Sequence, residues 1–326
     1  MSTEPAAPVA LSPARAPGQL ASPRRLALNG PTMGSRWTAA AWADHAPDPD
    51  RLAARLQAAV DQVNAEMSTW QADSDLQLLN ATPVGDWRAI PKGLMTVLAA
   101  GLAIGRQSEG AFNIGVGALV AACGFGSGRR SPDGDRLAEL LGRLPLEPPR
   151  TLELDPAGGR ARRLAPVTLD LSGIAKGFGV DELARVMQEA GISSFLVGID
   201  GEMRAEGVKP DGRPWAVAHE KPVPGERAIL GVLTLSGASV ATSGSYRHQA
   251  KIDGRLVSHT MDPATGRPLE NSLVSVTVLA ATCMEADAWA TALMVAGADK
   301  GVALARRRRL AALFVEADGT VTDTLS

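Results

Sequence analysis

The sequence predicts an α+β fold of mostly antiparallel sheets with flanking helices, and three observations predict it. Strand-like segments come in runs, with helices between the runs rather than after every strand. Turn-rich stretches such as Asn29-Gly30-Pro31-Thr32-Met33-Gly34 and Asp155-Pro156-Ala157-Gly158-Gly159 read as hairpin connections. Apolar residues at helical spacing, as in Leu52, Leu56, Val60, Val63 and Met67, mark amphipathic helices that cover a sheet.

In chain order, strands are expected at residues 25–28 and 36–42, then a helix beginning after Asp50 as its N-cap. A second helix runs over about residues 91–107, with Pro91 in its first turn and Gly110 beyond its end. Residues 129–165 read as peripheral: a short helix at 135–141, then a hairpin. A strand at 167–171 runs into Ser172-Gly173-Ile174-Ala175-Lys176-Gly177 and a helix carrying Val180, Leu183, Val186 and Met187, with Gly191 just past its end. Strands are expected at 194–199, 215–219, 228–235, 239–242 and 273–280, and a helix pair with a strand at 310–315 closes the chain.

The bulk numbers exclude several classes. At 326 residues, 45% hydrophobic and 21% charged, the chain has the composition of an ordinary globular protein. A net charge of −2 argues against a general nucleic-acid binder. The one dense basic run, Arg306-Arg307-Arg308-Arg309, reads as a solvated helix end. Cys123 and Cys283 make no disulfide framework. No apolar run reaches the ~18 residues needed to span a bilayer. Residues 1–24 are rich in Ala, Pro, Ser and Arg and read as a disordered tail ahead of one domain at 25–326. After Arg24-Arg25, the apolar residues 26–28 end at once in Asn29-Gly30-Pro31, so no signal-peptide core follows. On that reading the protein is cytoplasmic, with export left open.

Three stretches could carry chemistry. In Thr282-Cys283-Met284-Glu285-Ala286-Asp287-Ala288-Trp289-Ala290-Thr291, Thr282 and Glu285 have capping-box spacing, so a helix starts there. Asp287 and Thr291, four apart, share a face and together suit a hard cation. Taken alone, the pair could equally bond a neighbouring backbone group or Arg and the helix's own carbonyl. Second, Asp170-Leu171-Ser172-Gly173-Ile174-Ala175-Lys176-Gly177 delivers a helix start and a lysine, which suits phosphate, although an ordinary strand-to-helix corner looks the same. Third, Thr242-Ser243-Gly244-Ser245-Tyr246 and Ser258-His259-Thr260-Met261-Asp262-Pro263-Ala264-Thr265-Gly266 bring hydroxyls and a histidine into one region. No G-x-S-x-G elbow is present, which argues against a serine hydrolase.

Together these blocks resemble the ApbE family of FAD:protein FMN transferases. The matching segments stand in family order: Pro31-Thr32-Met33-Gly34-Ser35, Met67-Ser68-Thr69-Trp70, Ala111-Phe112-Asn113-Ile114, Gly124-Phe125-Gly126, and then the three stretches above. The resemblance covers roughly residues 26–315 and implies an ApbE-like, T-fold-like architecture. It implies FAD contacts from Met33, Trp70, Ala111, Phe112, Asn113, Asp170, Lys176 and Met261. It implies Mg²⁺ held by the Gly173 carbonyl, Asp287 and Thr291, with FAD as substrate and a client flavoprotein as partner. Within that reading, a Thr or Ser hydroxyl of the client attacks the FMN-side phosphorus and AMP leaves, with His259 as base and Asp287 at the metal. His is the side chain that titrates near neutral pH, and His259 is the histidine inside a matched block. An FAD pyrophosphatase and a non-enzymatic flavin-binding protein are the alternatives. The chain departs from the family at Asn113, where Asp is usual, at Cys123 for Trp, at Asp200 for one Gly of a pair, and at Ala290, where some members carry a second Asp.

Overall fold

The first hairpin is tighter than its sequence suggests. Arg24–Thr32 pairs with Ser35–Ala43 along their whole length, leaving only Met33 and Gly34 in the turn. Both have left-handed backbone, φ 46° and 72°, as two-residue hairpin turns that match the strand twist require. The expected strands at 25–28 and 36–42 are therefore longer than read.

The computed structural model describes residues 24–43, 47–125, 132–142, 148–220, 222, 229–244, 249–252, 255–258 and 260–325. The expected tail lies outside these residues except for Arg24, which opens the first strand.

An eight-stranded sheet organises the molecule. Its order is Arg24–Thr32, Ser35–Ala43, Ser194–Ile199, Glu202–Glu206, Ala238–Gly244, Leu273–Ala280, Ala311–Glu316 and Val321–Asp323, with every neighbouring pair antiparallel. Side chains alternate across the strands, and the two faces are covered differently. On one face Trp37, Ala39 and Ala41 meet the helices Pro49–Met67 and Ala175–Glu189 through Leu56, Val60, Val180 and Leu183. Further along that face, Val276 and Val278 belong to a core shared with the helices Lys92–Gln107 and Cys283–Ala296. On the other face Val240, Trp42 and Leu279 are covered by a hairpin of Trp215–Glu220 and Ile229–Leu235.

Several expectations are corrected. The first long helix is capped by Asp48, not Asp50: the Asp48 carboxylate accepts from the Asp50 and Arg51 N–H groups at 3.0 and 3.2 Å, and Pro49 stands first in the helix. No strand forms at 167–171. There the Asn80 amide bonds Leu169 through both its N–H (2.8 Å) and its carbonyl (3.0 Å), doing the work of a neighbouring strand. The parallel bridge Val116–Thr168 is isolated. Two short helices, Asp75–Ala81 and Gly117–Ala122, and the strand Glu202–Glu206 were not expected. The basic run does end the last helix with all four arginines exposed; at that surface Arg307 pairs with Glu109, and Arg308 donates to the Gln107 carbonyl at 3.0 Å.

Candidate active site

The Cys283–Ala296 helix is fixed at its start by two acceptors. Thr282 Oγ1 accepts the Glu285 N–H at 3.3 Å, and the Asp181 carboxylate, from the neighbouring helix, accepts the Cys283 and Met284 N–H groups at 2.9 Å each. Arg204 holds Asp181 in turn, at 2.8 Å. These bonds answer the free donors of a helix N-terminus. They set the rotation of a helix that buries Asp287 on one face, with Thr291 one turn further along.

A cavity of about 330 Å³ opens where this helix, the start of the Ala175–Glu189 helix and the end of the Ala238–Gly244 strand converge. That volume is in the range of small-molecule sites. Ala111, Phe112, Asn113, Asp170 and Met261 line it, as do Gly173, Lys176, Asp287 and Thr291. Met33 and Trp70 are not part of its wall. Trp70 is 64% exposed, and Met33 lies against Gly179 on the adjoining helix. His259 lies outside the described residues, while its chain neighbours Thr260 and Met261 line the cavity.

Charge is concentrated at the cavity wall. Lys176 Nζ donates to Glu202 Oε1 at 2.7 Å and reaches Asp200 Oδ2 at 3.4 Å. Burial works against its charge, but Glu202, Asp287 and Asp200 outweigh that and raise its pKa, so it stays an ammonium. Burial pushes the Glu202 carboxyl up to about 7, Lys176 pulling it down and Asp287 adding to the rise. Burial also raises Asp287, against the pull of Lys176 and of the Gly177 N–H, which donates to Asp287 Oδ2 at 2.9 Å. One ammonium thus faces three carboxylic groups, and Glu202 Oε2 is buried with no hydrogen-bond partner among the described residues.

An excess of negative charge around an unpartnered buried oxygen is an environment that takes up a cation. Among the described residues no three His, Cys, Asp or Glu side chains converge on a metal position by themselves. A cation here would rest on one carboxylate and neutral oxygens. Asp287 and the Thr291 hydroxyl supply such donors, and Gly173 packs against Thr291 so closely that a Cβ there would sit 3.0 Å from Thr291 Oγ1. Hard oxygen donors with few carboxylates are the Mg²⁺ pattern, in which ligand phosphates and water complete the shell. The start of the following helix adjoins the same cavity. There the Ala175 N–H bonds the Leu171 carbonyl at 2.9 Å, the Gly177 N–H is taken by Asp287, and Lys176 lines the cavity.

Residues 33–314 match the model of the ApbE family. The chain belongs to the ApbE family. Among its relatives, the FAD:protein FMN transferase of Klebsiella pneumoniae strain 342 is 34% identical over 296 residues, covering 90% of this chain and 84% of that protein. The structure of the flavinyl transferase ApbE of Pseudomonas stutzeri, in its apo form, superposes with a TM-score of 0.82 at 36% identity, covering 94% and 96% of the two chains. The flavin transferase ApbE of Vibrio cholerae gives 0.82 at 34% identity, covering 92% and 97%.

The departures from the ApbE pattern have structural accounts. Asn113 Oδ1 accepts the Gly115 N–H at 2.8 Å, so the amide builds the same kind of turn an aspartate would. Asp200 takes φ 51° beside Gly201 at 102°, so it occupies the left-handed position of the missing glycine. Cys123 is buried beside Leu119 and Met261. Ala290 is buried in the helix core. Sequence reasoning missed Glu202. It directly follows a left-handed turn at the start of a strand, and only the fold brings it to Lys176.

Proposed function

We propose that the chain is a Mg²⁺-dependent FAD:protein FMN transferase that attaches FMN to a Thr or Ser hydroxyl of a client flavoprotein. The observation that carries this reading is the convergence of Lys176, Asp287, Thr291 and Gly173 on one cavity wall in a chain of this family. Lys176 binds the diphosphate of FAD as a fixed positive charge, prepositioned by Glu202. Asp287, Thr291 and the Gly173 carbonyl hold Mg²⁺, which when bound draws charge from the phosphate oxygens. Phe112, Ala111, Asn113, Asp170 and Met261 bind and orient the rest of the nucleotide. Met33 and Trp70 reach FAD from outside the present wall.

In the transfer, the client hydroxyl oxygen forms a bond to the FMN-side phosphorus. The bond from that phosphorus to the bridging oxygen breaks, and AMP departs with that oxygen. The hydroxyl proton goes to His259, because the hydroxyl is a poor nucleophile while protonated. One incubation tests the whole reading: FAD and Mg²⁺ with and without a client domain, followed for AMP and for client mass. A client that gains the mass of FMN as AMP appears is the expected result. AMP without a mass gain would make the protein a pyrophosphatase, and no AMP at all would reduce it to a flavin binder.

A further inference from the structure

A threonine inside a helix ordinarily has two places for its hydroxyl, because the oxygen can return to a carbonyl one turn back. Thr96, in the Lys92–Gln107 helix, does so, donating to the Lys92 carbonyl at 2.9 Å. Thr291 turns the other way: its Oγ1 lies 3.1 Å from Ser243 Oγ, on the strand Ala238–Gly244. Ser243 stands on the same face of that strand as the buried Ala241, and the strand packs on the Cys283–Ala296 helix. Gly173 crowds the same threonine, since a Cβ there would fall 3.0 Å from Oγ1 and 3.2 Å from Cγ2. Ser243, Gly173 and Thr291 all line the cavity.

By themselves, either hydroxyl can donate this bond. A divalent ion on Thr291 removes that freedom. An oxygen that lends a lone pair to a dication becomes a poorer acceptor, and its proton becomes more acidic and needs an acceptor. The Ser243 oxygen is within reach. A hydroxyl has two lone pairs besides its proton, so Ser243 takes the Thr291 hydrogen bond without giving up its own proton.

We infer that Ser243 is a positioning residue of the metal site: it accepts the hydrogen bond of the Thr291 hydroxyl and so keeps Thr291 Oγ1 at the cavity wall instead of turned back to its own helix carbonyl. The inference rests on the proposed Mg²⁺ reading and adds to it a residue that does not itself touch the ion. With Ala290 where some family members have Asp, Asp287 is the only carboxylate in the proposed ligand set. The neutral Thr291 oxygen then carries a larger share of the binding, and so does whatever holds it in place.

The probe is Mn²⁺, which takes the same oxygen donors as Mg²⁺ and whose spin-resonance signal reports binding directly, titrated into FAD-saturated protein without client. Ser243→Ala should weaken Mn²⁺ binding about 10- to 100-fold, the usual cost of losing the hydrogen-bond partner of a metal ligand. Ser243→Thr keeps the hydroxyl on a residue that suits a strand and should bind Mn²⁺ nearly as wild type. Ser243→Cys keeps the size but offers only a weak acceptor, so it should lose affinity as Ser243→Ala does. In a Thr291→Val background, adding Ser243→Ala should cost no further affinity. Unchanged Mn²⁺ affinity in Ser243→Ala, or a loss as large in the Thr291→Val background as without it, would overturn the inference. Melting temperatures check folding, and Ser243→Cys decides the matter if Ser243→Ala does not fold. Wild-type protein that binds no Mn²⁺ with FAD present would overturn both the metal reading and this addition to it.

Discussion

Glu202 Oε1 receives the Lys176 ammonium at 2.7 Å, and the carboxylate is almost wholly buried while the lysine, which lines the cavity, keeps 29% of its side chain exposed. The buried partner is the anchor and the exposed one the working group. A flexible lysine, which ordinarily loses considerable rotamer freedom on binding, is held in place before any ligand arrives.

Lys176→Ala should weaken FAD binding, turnover or both by ~1.5–3 kcal/mol, the worth of a charge-assisted hydrogen bond. Titration with FAD and the rate of AMP release measure it. Unchanged values in both would make Lys176 only the counter-charge of Glu202.

The Glu202 carboxyl, pushed up to about 7 in the fold against an ordinary 4.5, makes stability depend on pH. Between these values the folded protein binds more protons than the unfolded chain, so stability falls as pH rises through that window. Asp287, also raised, acts with the same sign. Glu202→Gln should flatten the fall. Denaturant midpoints from pH 4.5 to 7 check this, and a slope no different from wild type would refute it.

AMP release should require Mg²⁺ and stop with EDTA. Asp287→Ala should cost more activity than Thr291→Ala, because it removes the anionic oxygen. Turnover that ignores EDTA would end the metal assignment of Asp287, Thr291 and Gly173.

Asp181→Ala should lower stability by ~1–2 kcal/mol, the usual cost of losing an N-terminal cap. It strips two N–H groups of the Cys283–Ala296 helix and leaves Arg204 without one partner. Thermal or chemical unfolding measures it. A wild-type midpoint would mean that Thr282 alone caps the helix.

His259→Ala should keep FAD binding and lose transfer rate by ~10²–10⁴-fold, the range of general base help. The acidic limb of the pH–rate curve should vanish with it. If His259→Asn restores most of the activity, the side chain is a hydrogen-bonding brace and not the base.

Much of this was legible in the sequence, and the misses share a cause. Thr282 with Glu285 marked a helix start because the cap is local, and Leu273–Ala280 declared itself by alternation. Asp181 did not, because the helix it caps lies about a hundred residues further along the chain. Asn80 was unreadable in the same way: a side chain standing in for a strand leaves no periodic trace at 167–171. In the cavity, residue type and spacing drew notice to Lys176, Asp287 and Thr291, and the resemblance to the ApbE family singled them out. Glu202 could not, since a carboxylate earns notice only once the lysine facing it is known. Trp70 shows the reverse: an aromatic suited by type to stacking stands outside the wall.

Asp287 has already committed one oxygen to the Gly177 backbone, and a Cβ at Gly177 would fall 2.3 Å from the Cys283 carbonyl. The two helices therefore touch without a side chain between them, and that contact holds the oxygen on the Gly177 N–H. A one-armed carboxylate matches a small, strictly octahedral ion. A larger ion that asks for two-armed carboxylates and more ligands would first have to break a helix contact. Ion choice at this site would then be decided by how closely two backbones approach, and the residue guarding it against calcium would be a glycine that never touches the metal.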